Sequence, residues 1–380
     1  MRKMASIQKI VDVIDIPGAD KICQYQIQGW RVVDSVGKYQ VGDLVVFCEV
    51  DSWVPTVLAS FLSKGNTPRE YNGVPGEKLR TIRFRKALSQ GLILPIEVLP
   101  GGFETGDIVV GMDVSEVLGI QKWEAPEQTH LGGQTKGSFP SYIPKTDQER
   151  VQNLTSEIPV WSQTEDLWEV TEKLEGSSMT VFFMEGEFGV CSRNQELKED
   201  ETNSFWCASR LYSLREKLTS LGRNIAIQGE LIGPSIQGNI YRLNSVDFYV
   251  YDIYDIQTGD YLNSEERLTL VKSLGLKHVP VVGLISIKNM SVQDIINSAD
   301  GLSFLSDVKR EGIVFKRALG GASFKAISNS YLMHNWRSKL DQRISQGTTR
   351  NDRTNHDSNP RSWITVQDPA PEYHVDCSFE

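Results

Sequence analysis

The sequence predicts an α+β chain in which a small β-barrel precedes a domain of antiparallel sheets flanked by helices. Three observations carry that prediction. Short β-rich runs closed by turn signals fill the first hundred or so residues. Residues 167–328 mix strands with a few helices and show no regular βαβ alternation. A length of 380 residues is too great for one ordinary core and fits two domains with connecting segments.

Taken in order, the runs at 45–50 and 81–85 are bounded by turn pairs such as Pro17-Gly18 and Gly42-Asp43, a spacing that fits a closed small barrel. We place this domain at 1–121. Residues 122–144 are polar and glycine-rich (HLGGQTKGSFPSYIP) and read as a linker or surface loop. The second domain spans 145–344. Within it a helix is expected to start at Ser264, capped by that serine with Glu265 and Glu266 in its first turn, and to end at Gly275; Leu268, Val271 and Leu274 form its core stripe. Residues 345–380 have almost nothing to bury, so a mobile tail is expected.

Composition narrows the function classes. With 40 Lys and Arg against 49 Asp and Glu, the formal charge is −9, so any nucleic-acid surface must be a local patch. The five cysteines are scattered without a C-x-x-C pair and read as reduced thiols. The N-terminus lacks the apolar stretch of a signal peptide, and no apolar run is long enough to span a bilayer. These features predict a soluble intracellular protein with no membrane association. Phosphate-loop, dinucleotide and zincin motifs are missing, and the five histidines are not at metal-ligand spacing.

One constellation carries chemistry. Glu172-Lys173-Leu174-Glu175-Gly176 follows a strand-like run and precedes a hairpin. Alone, a lysine between carboxylates is by default a solvated ion pair. It matches K-x-D/E-G, however, and further elements follow in order: Arg193 after Cys191-Ser192, Glu230 in IQGELIG, the strand DFYVYDIYD, Glu311-Gly312-Ile313-Val314-Phe315-Lys316, and a last strand holding Lys325. Glu230 and Glu311 each stand beside a glycine in an otherwise apolar strand, where a carboxylate needs a partner.

At these residues the sequence resembles the covalent nucleotidyltransferase superfamily of ATP-dependent ligases and mRNA-capping enzymes. Within it the resemblance is to RNA ligases that carry an OB-fold in front of the catalytic domain. The resemblance implies that Lys173 takes AMP from ATP, passes it to an RNA 5′-phosphate, and that a 3′-hydroxyl then displaces AMP. It implies Glu175, Glu230 and Glu311 around Mg²⁺ or Mn²⁺, with Glu230 also near the ribose. Arg193 would contact ribose or phosphate, and Lys316 or Lys325 the α-phosphate. The family's last motif commonly reads K-x-K, whereas Ile327 stands at the second place here, which leaves Lys316 as the companion. An aromatic residue should stack on adenine. Tyr251 is preferred over Phe248, since residues an odd number apart in a strand face opposite sides. Glu172 is a candidate to read the adenine amino group.

The position of the barrel selects the branch. DNA ligases and capping enzymes place theirs after the last motif, but Lys325 lies too near residue 380 for a complete barrel to follow. Without that barrel another group must hold pyrophosphate. Arg150 and Lys145, just ahead of the Lys173 strand, are the candidates. Lys78, Arg80, Arg83, Arg85 and Lys86 form a basic stretch in the front domain, with alternation expected to turn Arg83 and Arg85 to one face. The implied partner is RNA, as a nicked duplex or broken ends, with a DNA or RNA template strand as an option and no obligate protein partner. The competing readings are a DNA ligase, a guanylyltransferase, and a non-catalytic RNA-binding protein.

Overall fold

The computed structural model describes residues 3–85, 87–103, 108–124 and 135–333. Lys86 and the expected tail at 345–380 lie outside these residues. The chain divides into two compact units. The first comprises 1–126 with two later segments, 149–165 and 287–297; the second comprises 127–148, 166–286 and 298–380.

In the first unit the long strand Ala5–Asp15 pairs with Leu44–Cys48 through its first half and with Ile22–Ile27 through its second. A register shift between Ile10 and Asp12 bends it, and such a bulge increases the local twist and lets one strand serve two directions. Leu92–Leu94 and Trp30–Ser35 complete this sheet at its two edges. A second sheet orders Gln121–Lys122, Ser52–Pro55, Val74–Lys78 and Arg69–Tyr71. Alternate side chains Ile7, Val46, Val54 and Leu94 fill one core, and Ile10, Tyr25, Trp30 and Phe47 another. The segment at 149–165 joins this unit through the Gly29 N–H bond to the Gln152 carbonyl, 2.9 Å. A side chain at residue 29 would collide with that backbone, 2.8 Å from a Cβ.

The second unit contains two antiparallel sheets. The larger runs Thr135–Ser138, Gln195–Leu197, Glu187–Cys191, Ser177–Met184, Ile225–Ile232, Asp247–Asp255 and Asp260–Tyr261, with Lys277–His278 added parallel to Asp247–Asp255. Thr135–Ser138, read from sequence as loop, is thus an edge strand. Met179, Val181, Ile227, Leu231 and Phe248 pack with the helices Ser204–Leu211 and Leu214–Leu221 into one core. Period-2 alternation therefore turns Ser178, Thr180, Gln228 and Glu230 to the other face. In the smaller sheet Ser323–Ile327, Gly312–Arg317, Leu167–Lys173 and Val281–Ser286 lie in that order.

The expected helix is present as Ser264–Ser273, but Asn263 caps it. Its side chain accepts from the Glu266 N–H, and the Glu266 carboxylate accepts from the Asn263 N–H, a full capping box. Its inner face also differs from the expected stripe. Val271 is buried, Leu268 is exposed, and the most buried residue is Arg267, at 2 % exposure. Cys23, Cys48 and Cys191 are buried free thiols. Among the described residues no helix is long and apolar enough to cross a membrane.

Candidate active site

Lys173 ends the strand Leu167–Lys173, directly opposite Gly312. Gly312 permits this approach, since a Cβ there would strike the Ala326 carbonyl of the next strand. The Lys173 amine reaches Glu311 Oε2 at 2.7 Å, and both side chains keep partial access to solvent.

Glu230 stands opposite Ser178, on the polar face of the larger sheet. Burial pushes its carboxyl up to about 7; Lys173 and Arg193 pull it down and Glu311 pushes it further up. Lys173, Glu230, Glu311 and Arg193 thus share one electrostatic neighbourhood. Gly229 makes the strand fit there, because a Cβ would stand 2.5 Å from the Phe248 ring.

Glu175 leaves the strand end with its N–H donating to the Tyr241 hydroxyl at 2.8 Å, while the Tyr331 hydroxyl donates to Glu175 Oε2 at 2.6 Å. Glu172, one residue before the lysine, faces the other side of its sheet. It is fully buried, accepts from the Phe304 N–H at 2.8 Å, and has a carboxyl raised by that burial. Its Oε1 has no hydrogen-bond partner among the described residues.

A shallow pocket on the larger sheet is lined by Phe139, Lys145, Thr146, Ser178, Thr180, Arg193 and Gln228. Asp147 joins two of the expected phosphate ligands: Lys325 at 3.1 Å and Arg193 at 3.5 Å. Lys145 donates to Asn194 Oδ1 at 2.9 Å. The Tyr251 hydroxyl bonds Thr146 and Ser178, at 2.8 and 2.9 Å, so its ring lies on the polar face.

Several expected residues lie elsewhere. Phe248 is 1 % exposed within the helix-backed core and cannot stack on a ligand; the pleat gives that face to Tyr251. Lys316 is half-buried, held at 2.7 Å by Asp252 and at 2.6 Å by the Tyr251 carbonyl, and desolvation lowers its pKa. It is committed to a network with Arg267, Glu169 and Asp252. Arg150 belongs to the first unit, where it meets Asp51 at 3.3 Å and lies over the Trp30 ring. Lys78 binds the same Asp51 at 3.0 Å and covers Trp123 at 3.6 Å.

The basic strand does not alternate as expected. It ends at Phe84, and Arg85 takes a left-handed turn conformation with φ 55°. Arg83 donates to the Arg85 carbonyl, and Ile82, Phe84, Arg80 and Arg85 are exposed. The result is a hairpin, Ile82–Phe84 against Ala87–Ser89, that presents apolar and cationic groups together.

Among the described residues no three His, Cys, Asp or Glu side chains are gathered closely enough to hold a metal ion directly. The donor chemistry still fits a hard divalent cation, since Glu175, Glu230 and Glu311 are all oxygen donors around one amine and a buried carboxyl near 7 gains from a cation. Binding through the ion's waters meets both facts. Tyr241, Tyr331 and Asp147 were not singled out from the sequence. Only Asp147 carried a signal, its place between Lys145 and Arg150 ahead of the nucleophile strand.

Comparison with known proteins gives the same picture. A model of the RNA ligase family matches residues 166–327, and one of an OB-fold domain matches residues 4–96. The chain is similar to a Naegleria gruberi RNA ligase in several structures. A variant with AMP and Mn is 45 % identical with TM-score 0.80, covering 88 % of this chain and 99 % of that one. A variant with ATP and Mn, and the ligase with pyrophosphate, show the same identity and coverage at TM-score 0.79. No curated protein matches the sequence.

Proposed function

The chain belongs to the RNA ligase family, with an OB-fold in front of its catalytic domain, and from that premise we propose that Lys173 is the nucleophile of ATP-dependent sealing of RNA 3′-hydroxyl and 5′-phosphate ends. The observation that carries the assignment is the Lys173 amine on Glu311 at 2.7 Å, beside Glu230. An amine attacks phosphorus only when neutral, and a free lysine is almost wholly protonated near pH 7. Glu311 alone, as a negative neighbour, favours the protonated amine, so the proton leaves as positive charge enters the site. The amine then displaces pyrophosphate from the α-phosphate of ATP, forming a nitrogen–phosphorus bond. A 5′-phosphate oxygen of RNA next takes AMP from Lys173, and the 3′-hydroxyl displaces AMP to close the strand.

Mg²⁺ or Mn²⁺, held by Glu175, Glu230 and Glu311 through water, would supply positive charge that disfavours the protonated amine and offsets charge at the α-phosphate. In this reading Tyr251 stacks on adenine and Glu172 Oε1 is the acceptor for its amino group. Arg193 and Glu230 face the ribose, Lys325 the α-phosphate, and Lys145 the departing pyrophosphate. Asp147 holds Arg193 and Lys325 in the absence of nucleotide and is displaced by the phosphates. The exposed hairpin with Arg80, Ile82, Arg83, Phe84 and Arg85 fits RNA, whose phosphates meet the arginines and whose bases meet the ring. Use of ATP suits an intracellular setting.

The test is incubation with α-labelled ATP and a divalent metal, followed by denaturation. Label is expected on the chain and then, after adding 5′-phosphorylated RNA, on the RNA. Fresh protein that retains no label under several metals would exclude the covalent route.

A further inference from the structure

Glu175 is one methylene longer than an aspartate and turns about three side-chain bonds, so its carboxylate points usefully only if something fixes it. Two tyrosines from distant parts of the second unit do so. Tyr241 accepts the Glu175 N–H and fixes the main chain, and the Tyr331 hydroxyl, at 2.6 Å, fixes Oε2. The other oxygen, Oε1, lies beside Gly238, where even a Cβ would stand 3.5 Å away. That leaves Oε2 committed to the phenol and Oε1 beside a residue that has no side chain to crowd it.

Tyr331 is itself pinned. It follows the last strand, Ser323–Ile327, at the start of a helical stretch. Fully buried Ser328 donates to Asp300 Oδ1 at 2.6 Å, and Ser330 donates to the same oxygen through both its N–H and its hydroxyl, each at 3.1 Å. The Tyr331 N–H donates to the Ser328 hydroxyl at 3.0 Å. A single aspartate thus fixes the exit from the last strand and sets where the phenol stands.

We propose that Tyr331 is a positioning residue that holds Glu175 in the rotamer needed to bind the divalent cation. The inference rests on the reading of Glu175 as a metal carboxylate. Groups that orient a ligand this way are worth about tenfold or more in metal affinity, because the side chain otherwise loses freedom on binding.

The experiment titrates Mn²⁺ into the full-length protein, reading free Mn²⁺ by electron paramagnetic resonance, and follows self-adenylylation over the same metal range. For Tyr331→Phe we expect half-saturation to move up about tenfold, with the rate recovered at saturating Mn²⁺ and an unchanged melting temperature. Asp300→Asn should shift the metal dependence in the same direction and provides the answer if Tyr331→Phe does not fold. If Tyr331→Phe titrates like the parent while Glu175→Ala loses the metal, the inference about Tyr331 fails and the metal reading stands. If Glu175→Ala itself titrates like the parent, the metal reading fails and takes the inference with it.

Discussion

Two lysine–carboxylate clusters sit at opposite ends of one strand pair, and they differ in kind. Leu167–Lys173 and Gly312–Arg317 run antiparallel, with Lys173 opposite Gly312 at one end and Glu169 opposite Lys316 at the other. At the first end the lysine meets Glu311, and both side chains remain partly open, at 26 % and 18 %. At the second end Lys316 and Arg267 are shared among Asp252 and Glu169, with Lys316 14 %, Asp252 9 %, Arg267 2 % and Glu169 3 % exposed. The closed cluster sets two cations against two carboxylates and leaves Glu169 Oε2 without a hydrogen-bond partner among the described residues. The open one holds a surplus of carboxylate around one reachable amine, as nucleotide and cation require. Residue type is the same at both ends; accessibility and charge balance differ.

The largest effect should come from exchanging the lysines' fates. Lys173→Met is expected to cut self-adenylylation by roughly a thousandfold or more, the scale of losing an essential nucleophile. Lys316→Met should leave label incorporation within about tenfold, because the amine it removes serves the fold. Single-turnover labelling of folded protein measures both, and equal losses would erase the distinction.

Next in size is the closed cluster's dependence on its cation. Arg267→Met would leave Glu169 and Asp252 buried against fewer positive charges, an arrangement that costs about 3 to 5 kcal/mol. Urea unfolding should show that loss, while labelling per folded molecule persists. A loss under 1 kcal/mol would mean the cluster is better solvated than its burial indicates.

The two ends should also respond to pH in opposite senses. Glu230 is raised from 4.5 to about 7 in the fold, so between those values the folded chain holds a proton that the unfolded chain has released. Stability at this end therefore falls as pH rises through that window, by roughly 3 kcal/mol at most. Glu230→Gln should stabilise the protein at pH 8 while abolishing adenylylation, a gain visible in melting temperature.

His278, beside Arg267, behaves conversely. Its Nε2 accepts from Arg267 at 3.1 Å, and burial, then Arg267, lowers its pKa from 6.5 to about 4. The unfolded state takes up the proton first as pH falls from 6.5 toward 4, so stability drops in that window by roughly 2 to 3 kcal/mol and is intact above it. His278→Gln should flatten this acid limb of the unfolding curve, and an unchanged limb would remove His278 as its cause.

The same contrast explains what could be read from sequence. Lys173, Glu230 and Glu311 were legible because each stands beside a glycine or a second carboxylate in an apolar strand, a placement costly without purpose. Lys316 belonged to the same motif, yet the structure pairs it with Asp252, a partner 64 residues away that spacing cannot reveal. The barrel and the mixed sheets followed from strand length and turn signals. The cap at Asn263 and the turn at Arg85 did not, since a side-chain bond and one left-handed residue decide them locally. Phe248 and Tyr251 were separable by the pleat, but which of the two faced the core depended on the helices packed behind Phe248. Tyr331 had no signal, because its position depends on Asp300, 31 residues earlier in the chain.

The most direct test of the account is to label the protein with α-labelled ATP, digest it, and find the modified peptide by mass spectrometry. AMP on Lys173, with none on Lys316 or Lys325, is the predicted result. AMP on either of those two lysines, or on none, would contradict the division of labour between the two ends of the strand pair.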